Sequence, residues 1–272
     1  MRELFKKHIA IPQDHGSWIF ILSPLLIGLF AGEAFTYATL SLIISAMSAF
    51  MIRQPMTIFV KVVSGRRPKA DLPPALFWLL IYGFSTSLAL TFLIVQGFVY
   101  VLYLSIPGVP VFVWHLWLVS KRNERKKVGI EVLATGILSL AAPAAYWVSL
   151  GEYNSTGWVL WACTWLQTAA SIVYAYLRLE QRELNAQPAN REMWRMGQRS
   201  LVYTSSNLFI ALVLSWGNIV PQLIFIPFLL QWVETIWGIT HPSIGWKPAH
   251  IGVRQLIIST LWTILFIIFW KA

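Results

Sequence analysis

Apolar runs of sixteen to twenty-three residues recur along this 272-residue chain, each closed by a short polar or glycine- and proline-bearing break. A bilayer core takes roughly 20 mostly apolar residues per helix, within about 17–25. On that scale the pattern predicts helices over 16–31, 35–52, 74–95, 98–119, 128–150 and 157–177. The apolar stretch 201–237 is too long for one crossing. Gly217, Asn218 and Pro221 divide it, because such residues end and start helices, giving 201–216 and 220–237. A last run covers 253–270. The reading is an all-α polytopic membrane bundle of nine transmembrane helices, one integral membrane domain over residues 1–272.

Composition agrees with the pattern. The chain is 57% hydrophobic and 12% charged, where a soluble domain carries about 25% charged residues. Charge then orients the bundle. Lys and Arg gather beside span ends on the cytoplasmic side of bacterial membranes, and 20 of the 21 basic residues fall on one set of alternate connections, leaving Lys271 opposite. The amino terminus is therefore expected in the cytoplasm and the carboxyl terminus across a plasma or internal membrane. The first span lacks a small-residue cleavage site and does not read as a removed signal. The net charge of +10 follows this topology, so it does not point to nucleic acid.

Polar residues inside apolar runs carry the remaining information. Gln167, Ser171, Tyr174, Arg178 and Arg182 follow at steps of four, three, four and four, which places them on one helical stripe. Such a stripe either bonds neighbouring helices or walls a polar cavity. Glu234 is the one acid well inside an apolar run and calls for a cation, with Arg53 and Arg178 as candidates. Arg53 and Lys61 flank Thr57 about 80° apart and roughly 12 Å along a continuous helix. That suits a phosphate or other anionic head group, although both side chains could equally snorkel to the interface. Arg191, Arg195 and Arg199, at strict fours, read as a short interfacial helix that lies on acidic lipid or covers a cavity. Asp14 and His15 are the only acid–base pair beside that surface, while Asp14 also suits a helix N-cap. The five histidines and the single Cys163 show no metal-ligand spacing, so no metal or cofactor is expected.

Ile11–Trp18, reading IPQDHGSW, together with the Arg53-Gln54-Pro55 step, resembles the YwiC-like family of bacterial membrane proteins. More distantly, nine spans with long second and sixth connections, and the Arg66-Arg67-Pro68 step, are similar to the UbiA-type intramembrane prenyltransferases. That likeness implies helices around a cytoplasm-facing cavity and a prenyl or lipid substrate. The family's two aspartate-rich magnesium motifs are missing here. The matching stretches offer Arg53, Lys61, Arg178, Glu180, Arg182 and Glu183, so magnesium is not expected.

The leading function is a binder or transferase for an isoprenoid or lipid-like molecule whose anionic head meets Arg53, Lys61, Tyr174, Arg178, Arg182 and Glu234. Whether catalysis occurs is left open; Asp14 and His15 would then be its acid–base residues. A small-anion transporter and a non-catalytic accessory protein are the alternatives.

Overall fold

The computed structural model describes residues 4–12, 15–122 and 128–272, with the side chains of His15 and Gly16 outside the description. Among these residues the chain is helical throughout. A short α1 (Lys7–Ala10) precedes α2 (His15–Gly32), α3 (Tyr37–Val63) and α4 (Leu72–Val95). A 3-10 segment (Val99–Ser105) leads into α5 (Gly108–Ser120), followed by α6 (Val128–Ser139) and α7 (Ala141–Leu150). The last four are α8 (Thr156–Gln181), α9 (Asn190–Trp216), α10 (Phe225–Thr240) and α11 (Pro248–Lys271).

By length and composition six segments can cross a membrane: Tyr37–Val63, Lys69–Val95, Val99–Ser120, Val128–Leu150, Gln222–Thr240 and Pro248–Lys271. The protein is thus a multi-pass membrane protein. The apolar part of α2, Ser17–Gly32, is shorter. Helices α8 and α9 are as long but are not among these six.

Several elements depart from the pattern of apolar runs, each for a local reason. Helix α3 continues past residue 52 to Val63, through Pro55, so Arg53 and Lys61 share one helix. The 128–150 run breaks at Leu140, because Pro143 lacks the N–H that would bond the Ser139 carbonyl. Arg191, Arg195 and Arg199 do not form a separate interfacial helix; they are the first three turns of α9, which runs unbroken into the apolar stretch. The 98–119 run is divided by Pro107 and Gly108 into a 3-10 segment and α5.

Helices α2, α7, α8 and α11 form the middle of the bundle, with α3–α5 on one flank and α9–α10 on the other. Helix α2 meets α7 backbone to backbone. A Cβ on Gly28 would strike the Ala142 carbonyl, and one on Gly32 would strike Ser149, so this small-residue seam admits only glycine. The basic connections gather at one end. Lys6 pairs with Asp71 at 3.1 Å, Arg66 donates to the Val119 carbonyl, and Tyr176 donates to Glu131 at 2.7 Å. Gly245 N–H donates to the Arg182 carbonyl at 3.2 Å. The opposite end is closed by Ser149 donating to the Ala34 carbonyl at 2.5 Å and by Lys271 facing Glu33 at 3.6 Å.

Candidate functional site

The polar stripe of α8 is almost wholly buried, and it is where the interior polar groups of the bundle meet. Farthest from the basic end, Ser23 of α2 and Thr263 of α11 lie 2.6 Å apart, and Thr263 donates to the Ser259 carbonyl. Gln167 of α8 donates to Ser171 at 3.0 Å and to Ser259 at 3.4 Å. Gln231 of α10 donates to the Gln167 carbonyl and to Ser171, at 3.0 and 3.1 Å. Gln255 of α11 donates to the Ser171 carbonyl at 3.0 Å. Four helices are thereby laced along one lane, which is how polar side chains remain tolerable where lipid offers no partners.

Toward the basic end the lane becomes charged. Glu234, 7% exposed, accepts a bidentate pair from Arg254: Nε to Oε1 at 2.6 Å and Nη2 to Oε2 at 2.8 Å. Tyr174 donates to Oε1 at 2.8 Å. The partner of Glu234 is therefore Arg254, rather than Arg53 or Arg178. The planar fork of Arg matches the carboxylate, and the Arg254 guanidinium also lies 3.6 Å above the Trp237 ring. His241 stacks on Trp237 at 5.0 Å and 7°.

Arg178, 1% exposed, is held differently. One guanidinium nitrogen donates to Gln181 at 2.9 Å and to the carbonyls of Gly238 and His241, both at 2.7 Å. Those carbonyls end α10, whose partial negative charge favours a cation. The rings of Trp237 and Trp246 flank the group at 5.5 and 5.3 Å. Its other terminal nitrogen, Nη2, has no hydrogen-bond partner among the described residues, and neither has the Gln231 Oε1 oxygen. Arg178 has no carboxylate at ion-pair distance among them, so the group Glu234, Arg254 and Arg178 is left with one positive charge in excess.

On the far side the lane stops. Each of its four helices places a residue in an apolar cluster at a comparable level: Ile27 after Ser23, Cys163 beyond Gln167, Phe228 beyond Gln231 and Phe266 after Thr263. These residues join Leu160, Ala211, Ile224 and Trp262 in one buried cluster, with Phe228, Trp262, Phe266 and Trp270 in successive ring contact at 5.0–5.6 Å. Among the described residues the buried Thr164 hydroxyl donates only to the Leu160 and Trp161 carbonyls of its own helix.

Of the residues singled out by sequence, the structure brings Tyr174, Arg178 and Glu234 together. Arg182, half-buried, follows one turn beyond Arg178 and accepts from Gly245 through its backbone. Arg53 and Lys61 stand half-buried on α3, whose packing partners are α1, α2, α4, α5 and α7. Asp14 and the His15 side chain lie outside the described residues. No group of three His, Cys, Asp or Glu able to hold a metal occurs among those described. Arg254, Trp237, Gly238 and Gln181 were not singled out by sequence. The strict-four stripe Gln255, Ser259 and Thr263 on α11 was the signal available for that helix. Gly238 belongs to the site because the Tyr174 hydroxyl occupies the space its Cβ would need.

Comparison with known proteins places the chain. A family model described as YwiC-like protein matches residues 11–146. The chain belongs to that family. The match includes the 11–18 segment and Arg53-Gln54-Pro55, while the Glu234 cluster lies beyond it. A relative named Uncharacterized protein YwiC, from Bacillus subtilis (strain 168), is 23% identical over 249 residues, covering 91% of this chain and 92% of its own. No solved structure matches.

Proposed function

We propose that this YwiC-like protein binds a lipid-like molecule, such as an isoprenoid, by an anionic head group at the basic end of the bundle. The carrying observation is the buried Arg178 guanidinium, which has no carboxylate beside it and one nitrogen without a partner. A buried donor and an uncompensated charge inside a membrane protein are costly unless something pairs with them. A phosphate or carboxylate head reaching Nη2 would supply both. Arg182 extends that surface, and Arg53 and Lys61, which stand on α3 and pack with a different set of helices, are proposed as further cationic contacts for such a ligand. Asp14 and His15 would be the acid–base residues of any transfer step.

In this reading α2, α8 and α9 cross the membrane with the six apolar segments, giving nine spans. The basic end faces the bacterial cytoplasm, as the positive-inside rule requires. Contact between α2 and α11, the first and last spans, fits helices arranged in a closed ring, as in the UbiA-type bundle. The ligand's tail would lie between helices, among the apolar side chains flanking the lane.

Small-anion transport is the second reading, and the polar lane favours it by extending about 14 Å inward, the nine residues from Arg254 to Thr263 at 1.5 Å each. The apolar cluster beyond Thr263 counts against it, since it leaves the lane one mouth.

Lipid extraction and mass spectrometry of purified wild type, Arg53→Ala and Arg178→Lys test the proposal. Lysine keeps the charge but cannot supply the bare nitrogen of the guanidinium fork. A prenyl or phospho-lipid enriched with wild type and lost in both variants is the expected result. No enriched lipid, together with anion uptake by wild-type proteoliposomes, would replace this reading with transport. For topology, an alkaline phosphatase fusion after Ala272 should be active and one at Lys126 inactive; the reverse would put the site in the wrong compartment.

A further inference from the structure

Helix α9 holds a feature that the Arg178 site does not use. Its buried face runs Met193, Gly197, Ser200, Thr204, Asn207, Ala211 and Ser215, seated so closely on α10 that a Cβ on Gly197 would strike Ile239. At 100° per residue the opposite face carries Arg191, Arg195 and Gln198, then Val202, Phe209, Val213 and Trp216. All of these are exposed. The face is cationic over its first three turns and mostly apolar from Val202 onward, with Ser206 exposed between Val202 and Phe209. The change of character is abrupt. From Arg199 to Trp216 the helix rises about 26 Å, close to the roughly 30 Å hydrocarbon thickness of a bilayer. The arginines therefore stand at head-group level when the apolar part is immersed.

At this junction a shallow depression between side chains of α9 alone is lined by Arg195, Met196, Gln198, Arg199, Val202 and Tyr203. Arg195 has Glu192 at 3.2 Å, a pair in which both side chains are solvent-facing and so contributes little. Arg199 has no carboxylate at ion-pair distance among the described residues. The depression thus offers two guanidinium groups, an amide and a phenol above an apolar wall. We propose that it is a binding site for one anionic phospholipid, with the phosphate between Arg195 and Arg199, Gln198 and Tyr203 beside the glycerol, and an acyl chain along Val202 and Phe209. This site is separate from the Arg178 lane and does not depend on what that lane binds.

The test uses the full chain in nanodiscs of phosphatidylcholine containing phosphatidylglycerol of identical acyl chains, read by native mass spectrometry of the lipid retained on release. Wild type should retain phosphatidylglycerol over phosphatidylcholine. The Arg195→Gln/Arg199→Gln pair should lose that preference by about 25-fold, since a cation close to an anionic head group contributes about fivefold and the effect falls off with distance from it. Arg191→Gln, one turn outside the depression, should retain it within about twofold. Glycerol phosphate without acyl chains should fail to displace the retained lipid, because the apolar wall supplies part of the binding. Equal retention of both lipids by wild type, unchanged preference in the double variant, or displacement by glycerol phosphate would each overturn the proposal. Both arginines are surface residues, so unchanged thermal melting of the double variant is expected. Retention of phosphatidylglycerol by an Arg195→Lys/Arg199→Lys pair, above that of the Gln pair, separates loss of charge from loss of fold.

Discussion

The half of the bundle built from α8–α11 and the flank built from α3–α5 present different surfaces. On the α8–α11 side, side chains from four helices bond one another through the interior, and an ion pair sits among them with 7% of Glu234 exposed. On the α3–α5 side the outward faces of α4 and α5 are apolar and open, as at Leu80, Phe84, Leu88 and Val113. In lipid, apolar surface gains almost nothing by pairing with apolar surface, so α4 can remain at the edge, held chiefly by α3. A polar group has no such freedom. The contrast shows that the α8–α11 side adds interior hydrogen bonds to the apolar clusters that both sides bury.

Substitutions should separate the two sides most strongly at Glu234. Glu234→Ala leaves Arg254 and Tyr174 facing a buried gap, and unfolding in detergent should show a loss of about 3–5 kcal/mol. Adding Arg254→Ala to it should restore part of that loss; a double variant worse than the single one would mean that the two residues do not act as a pair. Gly238→Ala is next, because the new methyl must displace the Tyr174 hydroxyl; overpacking of this kind costs about 1–3 kcal/mol, visible as a lower midpoint in thermal melts. Gln167→Leu removes lane hydrogen bonds of a kind that average about 0.6 kcal/mol each in membrane proteins, and its effect should sum to between 1 and 2 kcal/mol. Phe84→Ala, on the open face of α4, should change stability by no more than about 0.5 kcal/mol. A cost there as large as at Glu234 would mean that another protein chain, rather than lipid, covers α4.

Much of the lane was legible in the sequence because helical periodicity survives burial. Gln167, Ser171, Tyr174 and Arg178 keep their spacing whether or not their partners are known, and Glu234 stands out against an apolar run. Its partner did not stand out. Arg254 lies at the start of the last apolar run, where topology alone accounts for a cation, so the pair emerges only when α10 and α11 are brought side by side. Glycines were silent for the opposite reason. Gly28, Gly197 and Gly238 matter through what fills the space beside them, and that is fixed by the neighbouring helix. The continuation of α3 through Pro55, and of Arg191–Arg199 into α9, reflects tertiary packing that overrides local breaks and charge. The family match rests on the first half of the chain, whereas the bonded cluster lies in the second.

The stack of Phe228, Trp262, Phe266 and Trp270 has an electrical consequence. A row of hydroxyls, amides and guanidinium groups reaching from one surface to the other would carry protons and drain the gradient on which a bacterial membrane depends. The rings end that row partway through the bundle with groups that neither ionise nor relay a proton. The hydrogen-bonded lane and the far end of the bundle are thereby separated by packed rings.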